Sequence, residues 1–233
     1  MWKDSLRGYW ETEQDLPRLE RSFFTKDGLT LAKALLGKVL VHETDRGRIR
    51  GVITEVESYM GIEDKGSHTY GGRRTKRTEP MYHIGGTSYV YFTYGMYHCM
   101  NITSGEEGNP QAVLIRSVVA ADEASQERML RLRLQLMTEK AKIRKVAQGE
   151  LLEAEEILRM EKGVKKHLAD GPGKLCIAMG ITGADNDVDM VRSSSFYVTE
   201  GIEVEPQEIR TGKRIGIAYA EEAADYLWRF YLE

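Results

Sequence analysis

Residues 53–102 contain, in order, the runs ITEVESYMG, SHTYGGRRTKR and SYVYFTYGMYHCMNI, so strand-patterned segments flank a basic loop rich in glycine. Alternating apolar and polar residues with aromatic and β-branched side chains predict half-buried strands. Period two places Glu55, Glu57 and Tyr59 on one face of the first run. In the later run Tyr89 and Tyr91 share a face and Tyr94 sits on the other near a bend at Gly95, while Tyr97, Cys99 and Asn101 share a face of the returning strand. Seven of the twelve tyrosines (Tyr59, Tyr70, Tyr82, Tyr89, Tyr91, Tyr94 and Tyr97) lie between positions 59 and 97. Strands favour aromatic residues in general, but burying this many phenols would demand many hydroxyl partners. A site that stacks a base accounts for the density more simply, because aromatic faces beside cations suit a nucleobase and its phosphates.

The flanking sequence supplies the remaining elements. Residues 1–20 are polar and acidic and read as an extended or loosely held arm, ahead of a domain over residues 21–233. Residues 22–37 read as a short helix with Leu29, Ala32, Leu35 and Leu36 on one face and Gly37 just past its end. Strands follow at 38–42 and 48–59, joined by the turn Thr44-Asp45-Arg46-Gly47, then at 88–94, 97–103 and 111–119. A helical insertion occupies about 123–169, broken near Gln148-Gly149, and a further short helix covers 174–179. The segments SFYV, RIGIA and WRFYL read as short strands and turns.

A chain of 233 residues can bury one substantial core, and no linker divides it. Its net charge of -3 argues only mildly against a nucleic-acid partner, since attraction to phosphate depends on local clustering. Two distant cysteines, Cys99 and Cys176, offer neither a disulfide framework nor a zinc ribbon, which points to a reducing compartment. The first residues lack an apolar signal region and no run approaches the ~18 residues of a membrane span. These features place the chain in the cytosol with no membrane association.

Glu57 is the sharpest candidate for chemistry, because a lone strand glutamate ordinarily faces solvent, whereas this one shares a face with Tyr59 and precedes His68, Arg73, Arg74, Lys76 and Arg77. His68 taken alone reads as a surface or structural histidine. The five histidines form no HxxxH or HxE…CxxC set, so the spacing gives no support to a zinc-activated water. GGRRTKR lacks the GxxxxGK[ST] order of a triphosphatase but suits contact with a nucleic-acid backbone. Seven Lys or Arg against two Glu between 126 and 147 could do the same, although a charge run on a helix is usually a solvated face.

The segments TEVESYMGIED, SHTYGGRRTKR, YVYFTYGMYHCMNI, GPGKLCIAMGI and RIGIAYAEE…WRFY resemble the 3-methyladenine (alkyladenine) DNA glycosylase family across nearly the whole chain. The resemblance implies a mixed α/β (α+β) fold, a single domain with a curved antiparallel β-sheet and surrounding helices. It also implies a monomeric enzyme that removes alkylated purines, with deaminated ones as a further candidate substrate, from double-stranded DNA without a cofactor. By that likeness Glu57 activates water with Arg116 nearby, Tyr59, His68 and Tyr91 enclose the extruded base, and Asn101 guards against guanine. Ile215 corresponds to a backbone amide that reads the base edge and Tyr94 to a wedge filling the gap in the duplex; Arg73, Arg74, Lys76 and Arg77, by their clustering in a glycine-containing loop, together with Met81 and Met96, are the expected contacts with DNA. A helical segment at 139–168 longer than in typical members, Ile177 in place of a common Gln, and a chain end two residues after Tyr231 depart from the pattern. None removes a matched catalytic position.

Two other readings are compatible with the residues alone. A non-catalytic nucleic-acid-binding module would use the same tyrosines and basic loop. A carbohydrate glycosidase would pair Glu55 with Glu57, but alternate strand residues lie only ~7 Å apart, and the basic loop would have no purpose. A lyase needs an amine nucleophile, for which Lys174 is the nearest candidate.

Overall fold

The computed structural model describes residues 2–10, 16–93 and 95–233. Helices α1 (Trp2–Trp10), α2 (Arg21–Phe24) and α3 (Gly28–Leu35) precede the hairpin β1 (Val39–Thr44) and β2 (Gly47–Tyr59). Strands β3 (Ser88–Thr93), β4 (Tyr97–Ser104) and β5 (Gln111–Ala120) follow, then helices α4 (Glu123–Ala147), α5 (Ala154–Lys166) and α6 (Pro172–Met179). The chain closes with β6 (Phe196–Thr199), β7 (Ile209–Gly212) and β8 (Arg229–Leu232). All eight strands join one open antiparallel sheet in the order β3-β4-β5-β2-β1-β6, with β8 also pairing β2, and β7 pairing β8. The result is the expected mixed α/β fold.

Strand β2 organises this sheet because it is long enough to serve two neighbours in succession along one edge. Residues 47–52 pair with β1 and residues 55–57 with β8, while β5 lies along the other edge. Its register with β5 shifts on both sides of Glu55, an irregularity that bends a strand and re-aims its side chains. Leu31, Ala32 and Leu35 of α3 share one apolar core with Val52, Ile53 and Val56 of β2 and with Leu175 and Met179 of α6. No helix among the described residues is long and apolar enough to cross a membrane.

Two local expectations are corrected. The single helix over 22–37 is instead two, because the Asp27 backbone is extended and its carboxylate accepts the Leu29 and Thr30 amides, starting a new helix at Gly28. Such a cap contributes about 1 kcal/mol. Gly37 does lie just past the end of α3 at φ +83°, where a Cβ would come within 2.5 Å of the Ile202 carbonyl oxygen. The extended arm is helical over Trp2–Trp10, and its anchor is Trp2, whose indole N–H donates to the Glu233 carbonyl at 2.8 Å. Farther along, Arg18 bridges to Thr199 and the Leu19 amide donates to the Val198 carbonyl, so the segment covers the open edge of β6.

A titratable staple holds the far end of α6 to the sheet. His42 Nδ1 bonds the Met179 carbonyl at 2.8 Å, and Nε2 lies 3.3 Å from Asp185, whose carboxylate also accepts the Thr182 amide. Burial alone would lower the His42 pKa, but the Asp185 and Met179 contacts outweigh it and leave the pKa above the ordinary 6.5. A raised folded-state pKa gives stability that is complete below the unfolded value and is lost as pH rises through the folded one. Asp185 is shifted downward, so its share is present above its ordinary 3.8 and is lost on acidification. The protein should therefore melt at a higher temperature near pH 6 than near pH 8, by a margin that shrinks in His42→Gln. Equal margins in the two proteins, in melts followed across that range, would remove the staple from the account.

Candidate active site

Antiparallel register carries one row of side chains straight across four strands: Glu57 on β2, Leu114 on β5, Asn101 on β4 and Tyr89 on β3. Two residues along, Arg116 follows Leu114, and Tyr91 stands opposite Cys99. Side chains on one face of a sheet point the same way, so the residues singled out in three separate segments converge. Above them lies a cavity of about 380 Å³ whose walls include Tyr59, His68, Tyr89, Tyr91, Asn101 and Arg116. Its rim comes from farther along the chain, at Pro172, Ile215 and Tyr219.

Glu57 closes one end of the row and is 0% exposed. Its Oε1 accepts the Ile215 amide at 2.7 Å and faces Arg116 Nη1 at 3.2 Å, and its Oε2 accepts the Tyr59 hydroxyl at 2.9 Å. All three partners line the cavity. Burial raises the Glu57 pKa above the ordinary carboxylate value, although Arg116, the Ile215 amide and Tyr59 each pull it back. The Tyr59 phenol stays protonated, since burial and then the adjacent Glu57 charge push its pKa well up. The Ile215 N–H, expected from the resemblance to read a base edge, is here committed to the carboxylate.

Aromatic packing sets the opposite wall. His68 Nδ1 bonds the Tyr89 hydroxyl at 2.9 Å, and its ring meets Tyr91 edge-on with centroids 4.7 Å apart. Burial, then Arg77 and Arg73, lowers the His68 pKa, so the imidazole adds no positive charge at neutral pH. Burial lifts the Tyr89 phenol to about 12 and that of Tyr91 further still. Asn101 Nδ2 donates to the Tyr89 carbonyl at 2.9 Å, which fixes its rotamer against the cavity.

The residues expected to meet DNA separate into different settings. Arg73, Arg74, Lys76 and Arg77 are all exposed, but Arg74 is held by Glu79 in a two-point contact at 2.6 and 2.9 Å. Arg77 lies over the Tyr91 ring at 5.1 Å and so belongs to the cavity as much as to the loop. Met81 is only 2% exposed, packs with Tyr89 and Ala112, and is among the residues that line the cavity, so it sits at the site rather than on the exposed loop. Met96 is 53% exposed at the tip of the β3–β4 hairpin, while Tyr94 lies outside the described residues. Lys174 pairs with Asp170 and is not among the cavity-lining residues.

Two groups that support the site were not legible as such. Glu55, weighed as a second catalytic carboxylate, instead accepts Arg116 Nε at 2.9 Å and Arg229 Nη1 at 3.1 Å, and so aims the Arg116 guanidinium toward Glu57. Arg214 and Asp64 form a fully buried ion pair at 2.5 and 2.8 Å, and Arg214 also donates to the Ser58 and Ala223 carbonyls. This pair pins the segment carrying Ile215 against the end of β2. No spacing signal links positions 64 and 214, and only the fold brings them together.

Comparison with known proteins identifies the family. A profile of the family described as methylpurine-DNA glycosylase (MPG) matches residues 22–233. A Clostridium acetobutylicum protein named "Putative 3-methyladenine DNA glycosylase" is 44% identical over 216 residues, which is 93% of this chain and 94% of the relative. A Clostridium botulinum protein of the same name is also 44% identical over 216 residues, covering 93% of this chain and 96% of its own.

Proposed function

The chain belongs to the methylpurine-DNA glycosylase family, and from that premise we propose that it is a monofunctional glycosylase that extrudes alkylated purines from duplex DNA and hydrolyses their N-glycosidic bond with water activated by Glu57. The observation that carries this reading is a fully buried carboxylate joined to three walls of an aromatic cavity of base-accepting size. An ionised carboxylate offers about four acceptor positions. Three are used by Ile215, Arg116 and Tyr59; Glu57 itself is fully buried and meets the cavity through these lining partners, and the remaining position on Oε2 is the one assigned to the water proton.

The water oxygen bonds to C1′ as the C1′–N bond breaks, the bonding electrons leave with the purine, and the water proton passes to Glu57. Alkylation at a ring nitrogen makes the base cationic, so it departs neutral and needs no acid. Tyr59, Tyr91 and the neutral His68 offer electron-rich faces to that cation. A deaminated purine is neutral and leaves less readily, which ranks it behind the alkylated ones. Extrusion costs a few kcal/mol, least where damage has weakened the pair, and Tyr94 is assigned the role of filling the gap. Stacking on an aromatic side chain returns roughly 1 to 3 kcal/mol. Arg73, Lys76 and Arg77 are assigned to phosphates; Arg74 must first release Glu79.

Duplexes bearing single defined lesions, incubated with the protein and then cleaved with alkali, test this reading. Strand breaks should appear at alkylated purines and only after alkali. Binding to these duplexes without any break would favour the non-catalytic module. In the same assay Asn101→Ala should raise excision of guanine-type relative to adenine-type bases, because an unsatisfied two-amino group costs on the order of 1 to 3 kcal/mol to bury. Unchanged relative rates would move the discrimination elsewhere.

A further inference from the structure

The basic run in α4 is not absorbed by the cavity, and its cations fall into two groups. Arg128 is tied to the Arg46 and Arg48 carbonyls, and Lys145 to Glu150 and Glu156. Lys140 and Arg144, like Arg131 and Lys142 elsewhere on the helix, are exposed and form no ion pair within 4 Å among the described residues, although the Arg144 charge also bears on Glu156. Arg133, Met137, Lys140 and Arg144 recur at intervals of four, three and four, which places them in one stripe along the helix.

This stripe is anchored beside the site. Lys140 Nζ sits 5.3 Å over the ring of Tyr97, the first residue of β4 after the hairpin tip that exposes Met96. Tyr97 also lies against Gly173, next to the cavity-lining Pro172. Arg133 is only 8% exposed and its Nε has no hydrogen-bond partner; burial lowers its pKa while the nearby Asp170 carboxylate favours its charged form. A buried guanidinium that is not fully bonded is costly, and it contributes positive potential that salt screens poorly.

We propose that this stripe of α4 is a second DNA-contacting surface, in which Lys140 and Arg144 engage phosphates of the duplex whose base enters the cavity, over the fixed charge of Arg133. The inference rests on the glycosylase reading for its partner. Charge complementarity to phosphate and continuity with the hairpin and cavity rim select the duplex backbone as occupant. Arg128 and Lys145 are tied to neighbouring groups, and Arg131 and Lys142, which are exposed off the stripe, serve as the control for a merely solvated basic face.

The test is the salt dependence of binding to an undamaged duplex, compared between the wild type, Lys140→Gln/Arg144→Gln and the control Arg131→Gln/Lys142→Gln. Glutamine is close to lysine and arginine in helix propensity, and these positions are exposed, so all three proteins should fold. Each lost phosphate contact flattens the slope of log affinity against log salt by ~0.9. The stripe variant should therefore lose about 1.8 from the slope and the control variant almost none. An unchanged slope, or equal flattening in both variants, overturns the proposal. Since no excision is needed, a protein that binds in this way yet releases no base would overturn the proposed function and leave the surface standing.

Discussion

Glu57→Gln is expected to lower the single-turnover rate of base release by about 10² or more, within the ~10² to 10⁴ that general-base groups supply, with little change in affinity for lesion duplex. Glutamine keeps the shape and can still accept the Ile215 amide, but it cannot take a proton from water. The same residue fixes the pH response. Because burial raises its pKa, the wild-type rate should fall with decreasing pH along a limb centred above the ordinary 4.5. The limb should vanish in the slow residual activity of the variant. Wild-type-like rates in Glu57→Gln, in a protein shown by its melt to be folded, would overturn the mechanism.

Asp64→Ala should destabilise the fold by about 3 to 5 kcal/mol, the usual consequence of removing one partner from a buried pair and stranding the other. Both side chains are fully buried, and Asp64 additionally accepts the Met60 and Gly66 amides. Arg214 would be left with the Ser58 and Ala223 carbonyls and the faces of Tyr59 and Trp228, at 4.8 and 4.9 Å. Activity should suffer beyond the loss of folded protein, because Ile215 adjoins Arg214 and its amide orients Glu57. Urea denaturation provides the measurement, and a loss below about 1 kcal/mol would mean that the pair contributes little to stability.

The elements carrying the site were legible because strand alternation and helical period are local properties. The expected facings of Glu57, Tyr59, Tyr89, Tyr91 and Asn101 agree with the pleat, and the helix break expected near Gln148-Gly149 falls between α4 and α5. Expectations failed where a polar side chain or a distant docking surface decides the outcome. Asp27 divides one expected helix into two, and Trp2 bonds the Glu233 carbonyl.

By itself the sequence determined which residues can share a strand face, which segments are helical, and, through its resemblance to a family, what reaction to look for. It left open which strands are neighbours. The order β3-β4-β5-β2 aligns Tyr89, Asn101, Leu114 and Glu57 in one row, and the pairing of β8 with β2 brings Arg229 to Glu55. Only the tertiary structure decided that Glu55 would bond Arg116 and Arg229, that Asp64 would meet Arg214, and that the Ile215 amide would hold Glu57. Side-chain facing follows from the pleat within a few residues of chain, whereas these contacts join positions 61 to 158 residues apart. Their formation depends on burial of a shared core that no local pattern specifies.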